Sequence, residues 1–158
     1  MGYGKRDIAR LGPDAQRQII QKLSGCSGGD EEAREIRFVI PLNPVTKKNS
    51  QRIVKCGQYH KVLPSKAYER YEKDAKPFLP RRGAKLNRPC EVSALFYMKT
   101  RRKVDLTNLL EALDDILVAH EVLEDDNSRI IVSHDGSRVR CDSRNPRTEV
   151  TIRFLDGR

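Results

Sequence analysis

One run of residues limits the fold more than any other. In DLTNLLEALDDILVA the apolar residues Leu106, Leu109, Leu110, Leu113, Ile116 and Leu117 fall at i, i+3, i+4, i+7, i+10 and i+11, a stripe that only an α-helix gathers on one side. Such a stripe must be buried against another element. Three alternating segments can supply it: Ile36, Phe38 and Ile40 against Arg37 and Val39; Val92, Ala94, Phe96 and Met98 between Glu91 and Lys99; and Val150, Ile152 and Phe154. Their period of two predicts strands. A hairpin through Gly57, carrying Tyr59 and His60, and a tight hairpin over Ser133 to Val139 around Asp135-Gly136 are expected as well. Ser65 can cap a second helix whose Tyr68, Tyr71, Ala75 and Phe78 recur at helical spacing, which assigns these aromatics to a core rather than to base stacking. Strands and helices interleave, so the expected class is α+β, a mixed β-sheet packed with helices.

The 158 residues suit one domain with an appendage. Residues 1–34 read as an N-terminal helical extension and linker, with Pro13 opening a helix that carries Ile19, Ile20 and Leu23, followed by the flexible stretch CSGGDEE. Residues 35–158 read as the main domain. No apolar run approaches the ~18 residues of a membrane helix, so a cytoplasmic protein is expected. Cys26, Cys56, Cys90 and Cys141 form no C-x-x-C pair, which leaves them as reduced, unligated thiols.

Charge gives the first functional clue. The chain has a formal charge of +9, yet residues 41–104 carry 17 basic and 4 acidic side chains, whereas residues 105–126 carry 8 acids and no Lys or Arg. Cations that hold a polyanionic backbone, next to carboxylates that hold a metal, are what phosphodiester cleavage needs. A cationic nucleic-acid binder with one solvated acidic helix gives the same charge pattern.

Spacing places the carboxylates. Asp105, Asn108 and Glu111 share a polar stripe, with Asp115 about 15 Å along the axis from Asp105 and so too far to share its metal. The seven residues from His120 to Asp126, if extended, span ~23 Å. That is enough to run back along a ~20 Å helix and bring Glu124, Asp125 and Asp126 to Asp105. Carboxylates ~5 Å apart repel by roughly 3 kcal/mol per pair at an effective dielectric of ~20, and a cation removes that cost. Oxygen-only ligands select Mg²⁺ first and Mn²⁺ second. The EF-hand spacing is missing.

With these residues in place, RRKVDLTNLLEALDDILVAHEVLEDDNSRI resembles the signature of the RusA family of Holliday-junction resolvases. That signature has basic residues, D-x-D-N-L-x-K, an Asp four residues on, and a later Asp-Asp pair. Asp105, Asn108, Leu109, Asp115, Asp125 and Asp126 match it. The segment IRFVIPLNPVTKKNSQR is similar to the family's opening strand and basic loop. Two positions depart: Thr107 stands at the second Asp and Glu111 at the Lys.

The resemblance, which spans about Ile36 to Phe154, implies a homodimeric endonuclease of bacterial or phage origin that acts on branched DNA, the four-way junction. It implies Mg²⁺ held by Asp105, Asp125 and Asp126, with Asp105, Asp126 and Glu111 as catalytic carboxylates. Lys47, Lys48, Asn49, Arg52, Arg101, Arg102 and Lys103 would bind DNA. His134 is either a proton shuttle or phosphate ligand, or a structural residue. The rival expectations are a non-catalytic, structure-selective nucleic-acid binder with a degenerate site, and an interaction protein whose acidic helix docks a basic partner.

Overall fold

The computed structural model describes residues 34–47, 52–81 and 83–155, with nothing taken from the side chains of Arg52, Cys56 and Lys61. The helical extension expected over residues 1–34 falls outside this set, apart from Arg34. The described residues belong to a unit that begins at Arg34.

Strands β1 (Glu35–Ile40), β7 (Arg147–Phe154) and β4 (Cys90–Met98) lie side by side in the main sheet, with β1 at one edge and both pairings antiparallel. The far edge of β4 is taken by β5 (Ile131–Ser133) and β6 (Arg138–Cys141), both parallel to it. The sheet is therefore mixed, and the α+β expectation holds. Its register lines up the apolar sets: Ile152 lies between Ile36 and Val92, and Val150 between Phe38 and Ala94. A slip of one residue would turn each of these side chains to the opposite face.

Helix α2 (Leu106–Ala119) buries Leu109, Leu110, Leu113, Ile116 and Leu117 in one core with the β4 and β7 residues. Helix α1 (Lys66–Ala75) starts where Ser65 Oγ accepts from the Tyr68 amide at 3.1 Å, as the cap rule predicts. Tyr68, Tyr71 and Ala75 join the core. Phe78, in a short 3₁₀ turn after α1, is half-buried. Strands β2 (Arg52–Cys56) and β3 (Tyr59–Leu63) form a separate antiparallel hairpin, turned at Gly57 with φ +62°.

The hairpin expected over Ser133 to Val139 does not form. Gly136 does take a positive φ of +78°, but β5 and β6 pair with β4 and not with each other. The Asp-Gly signal sets a local turn, whereas the free edge of β4 decides the pairing. Residues 134–137 loop out between the two strands, and side chains fill the gap in the ladder. Ser137 Oγ accepts from the Ala94 amide at 3.0 Å, and His134 Nδ1 meets the Val92 carbonyl at 2.9 Å.

Candidate functional site

The acidic segment after α2 is held at both ends. The Val122 and Leu123 amides both donate to the Leu117 carbonyl, at 2.8 and 3.2 Å, which reverses the chain at once. Val122 and Leu123 are buried, and the Glu124 amide donates to the Leu86 carbonyl at 2.9 Å. Downstream, the Ile130 amide reaches the Asn127 carbonyl at 2.9 Å and the Cys90 amide reaches the Ile130 carbonyl at 2.8 Å. The stretch from His120 to Asp126 is thus coiled at its start instead of extended, because two apolar side chains gain burial by folding onto the end of α2.

Between these anchors Asp125 and Asp126 are exposed. Asp125 Oδ1 accepts from the Asp126 amide at 2.8 Å, and Oδ2 accepts from Asn127 Nδ2 at 2.6 Å. The hydrogen bond from Asn127, then that from the Asp126 amide, lowers the Asp125 carboxyl below the usual range. Asp126 moves the opposite way. Desolvation first, then its side-chain hydrogen bond with Asp125 and the charges of Asp125 and Asp114, raise its carboxyl. Two adjacent acids whose surroundings drive them apart suit a functional site.

Asp105 is the residue before α2, and its carboxylate makes no capping bond to the helix. Oδ2 accepts instead from Asn108 Nδ2 at 3.1 Å. Asp105 is exposed, at a helix start that favours anions. Among the described residues, no three His, Cys, Asp or Glu side chains stand together as a metal cluster. Asp125 is hydrogen-bonded to its neighbour Asp126, and Asp105 to the Asn108 side-chain amide.

A two-carboxylate pair still fits a hard divalent ion, since Mg²⁺ keeps most of its waters and takes one or two carboxylates together with substrate phosphates. Desolvation, with the neighbouring Asp125 behind it, disfavours the Asp126 charge, and a cation would offset both. Glu111 is half-buried, and its charge, with those of Asp115 and Glu72, adds to the burial that raises the Tyr68 hydroxyl.

Asp114 is a residue that pattern reading missed. It is only 8 % exposed, and its Oδ2 lies 3.0 Å from His134 Nε2. Its Oδ1 is buried with no hydrogen-bond partner among the described residues. The signal was present in the sequence: Asp114 sits four residues after Leu110 and three before Leu117, on the apolar stripe, where a charge needs a partner. His134 faces a carbonyl on one nitrogen and a carboxylate on the other, so both nitrogens must be served by protons. The Asp114 hydrogen bond is the main cause that raises the imidazole pKa, against some desolvation. The structural reading of His134 is the one this geometry favours.

The basic residues border the acids. Arg101, Arg102 and Lys103 are exposed in the loop that leads into Asp105. The Lys99 amide donates to Asn43 Oδ1 at 2.8 Å, which clips this loop to the one after β1. Lys47 reaches Asp115 Oδ2 at 2.6 Å. The ion pair gives Asp115 a partner and makes Lys47 a tether. Lys48 and Asn49 lie outside the described residues, and of Arg52 only the backbone, in β2, is described. Replacing Arg101, Arg102 and Lys103 by Ala is expected to flatten the slope of log affinity against log salt, by up to ~0.9 for each duplex phosphate that is no longer neutralised. A fluorescence-anisotropy salt titration reads the slope, and an unchanged value moves the DNA surface elsewhere.

A fold with a pinned Asp-Asp pair and exposed cations before an acidic helix agrees with the family comparison. Residues 41–153 match the model of endodeoxyribonuclease RusA. The chain belongs to the RusA family. No curated protein matches it. The RusA match begins just after β1 and takes in all of β4 and α2, the Asp125–Asp126 pair and nearly all of β7. As a RusA-family protein the chain falls among the endodeoxyribonucleases. None of its described helices is long and apolar enough to cross a membrane.

Proposed function

We propose that this RusA-family chain is a divalent-metal-dependent endonuclease that resolves four-way DNA junctions by paired nicks. The observation that carries the reading is the Asp125–Asp126 pair, pinned between two backbone anchors. Asp126 and Asp125 would hold Mg²⁺, with Mn²⁺ as a substitute, and Asp105 would be a further carboxylate ligand. A bound divalent cation supplies charge that makes a water nucleophilic and stabilises the departing 3′ oxygen. Asp125 holds the turn that orients Asp126. Arg101, Arg102 and Lys103 grip the backbone with Lys48, Asn49 and Arg52, while Lys47 ties its loop to α2. Paired nicks need two sites, which a homodimer provides. The setting that fits is the cytoplasm of a bacterium or a phage-infected cell.

Glu111 is proposed as the carboxylate that offsets Thr107. Glu111→Gln is expected to raise the Mg²⁺ concentration for half-maximal cleavage several-fold, and Thr107→Asp, at an exposed position on the same helix, to lower it. A silent Glu111→Gln removes Glu111 from the site.

The separation of Asp105 from the Asp125–Asp126 pair and the loss of an acid at Thr107 favour a second reading, a structure-selective binder with a degenerate site. Incubating a labelled four-way junction and a matched linear duplex with and without Mg²⁺ decides between them. Symmetric nicks in the junction only, and only with metal, support the resolvase; tight junction binding without nicks supports the binder.

A further inference from the structure

The β2–β3 hairpin carries large apolar side chains that no part of the described chain covers. Tyr59 is 80 % exposed, Ile53 72 % and Val62 56 %, with Val54 also open. Register sets Ile53 opposite Val62, and Lys55 opposite His60 on the same face, while Tyr59 lies beside the turn on the other face. An isolated two-stranded hairpin is marginal in water and gains from a partner on its apolar faces.

Charge selects the partner. From Thr46 to Lys66 the chain has 6 Lys and Arg and no Asp or Glu. A second copy of the hairpin would bring like charge against like, whereas nucleic acid offers both phosphates for the cations and π-faces for the tyrosine. Linear duplex keeps its bases stacked and hides those faces; a branch point exposes them.

The hairpin is also rooted next to the acidic helix. Lys47, before β2, binds Asp115 at 2.6 Å, and Tyr68, after β3, donates from its hydroxyl to the Ala112 carbonyl at 3.3 Å. Five-residue strands extend roughly 16 Å from that root. We infer that the β2–β3 hairpin is an arm for unpaired bases, with Tyr59 stacking on a base at the branch point of the DNA. This rests on the branched-DNA reading above and names the part of the chain that would sense the branch.

The test uses the full chain and four-way junctions carrying 2-aminopurine either at the crossover or in the middle of an arm. Binding should change the fluorescence at the crossover and leave the mid-arm signal unchanged. Tyr59→Ala should abolish the crossover change and weaken junction binding by about 5- to 100-fold, the range of one base–aromatic stack. It should leave linear-duplex affinity and the salt slope as they were, and Tyr59→Trp should restore binding.

Tyr59 lies outside the core, so the variant folds, and its circular dichroism and melting curve check this. An unchanged crossover signal and affinity in Tyr59→Ala overturn the inference. So does equal weakening on duplex and junction, or a loss of dimer in size-exclusion chromatography, which would make the hairpin a subunit contact. If the wild-type chain binds junction no better than duplex and nicks neither, the proposed function itself fails, a result read before any hairpin variant is made.

Discussion

Asp126→Asn is expected to abolish metal-dependent junction cleavage, by roughly 10² to 10⁴-fold, while leaving junction binding intact or tighter and the melting temperature equal or higher. The rate follows from removing a carboxylate that would hold the metal, whose charge stabilisation amounts to several kcal/mol at about 1.4 kcal/mol per tenfold. Binding holds because a negative charge facing phosphate disappears while the cationic loop stays. The stability direction comes from Asp126 itself. Desolvation and the neighbouring Asp125 raise its carboxyl, so its ionised form at neutral pH is disfavoured in the folded state, and the neutral amide relieves that strain.

Loss of rate with no loss of stability separates a site acid from a structural one. Asp125→Asn is the contrast, since Asp125 accepts two hydrogen bonds that shape the turn, and it should lose activity together with local order. Cleavage of a labelled junction and thermal melts on the same preparations read both quantities. A near wild-type rate for Asp126→Asn would move the active site elsewhere.

The elements that local pattern defines were legible in the chain. Six apolar residues at helical spacing gave α2, three alternating segments gave β1, β4 and β7, and Ser65 marked the start of α1. The partner of a strand edge was not legible in the same way. The dipeptide Asp135-Gly136 correctly announced a turn, but whether β5 and β6 meet each other or β4 depends on an edge that lies some forty residues earlier in the chain.

Site geometry divides along the same line. Residue types and spacing named Asp105, Asp125 and Asp126, yet the path from α2 to the acid pair turned on Val122 and Leu123, two apolar residues whose burial reverses the chain. Asp114 was passed over because an acid within an acidic stretch looks solvated. Only its place on the leucine stripe set it apart.

His134→Gln tests the other consequence of that buried acid. His134 lies where β5 ends and bridges three elements: its Nδ1 meets Val92 of β4, its Nε2 meets Asp114 of α2, and its backbone enters the turn before β6. The groups that bear on this pair are Asp114, the Asp126 carboxylate, and the Cys90 thiol, which burial and the Asp114 charge push up to about 11 and so keep neutral near pH 7.

Because the imidazole pKa is raised in the folded chain, its stabilisation is fully present below the unfolded value of about 6.5 and fades as pH rises through the folded value. Wild-type stability from urea melts should therefore fall as the pH is taken from 6 to 9. The variant curve should be flatter and lie below wild type by about 2 kcal/mol at pH 6, less than the 3–5 kcal/mol of a fully buried pair because His134 keeps some exposure. As the pH rises past the folded value the two curves should converge. Parallel curves would mean that the proton between Asp114 and His134 is not what joins α2 to the edge of the sheet, and that His134 acts there only as a spacer.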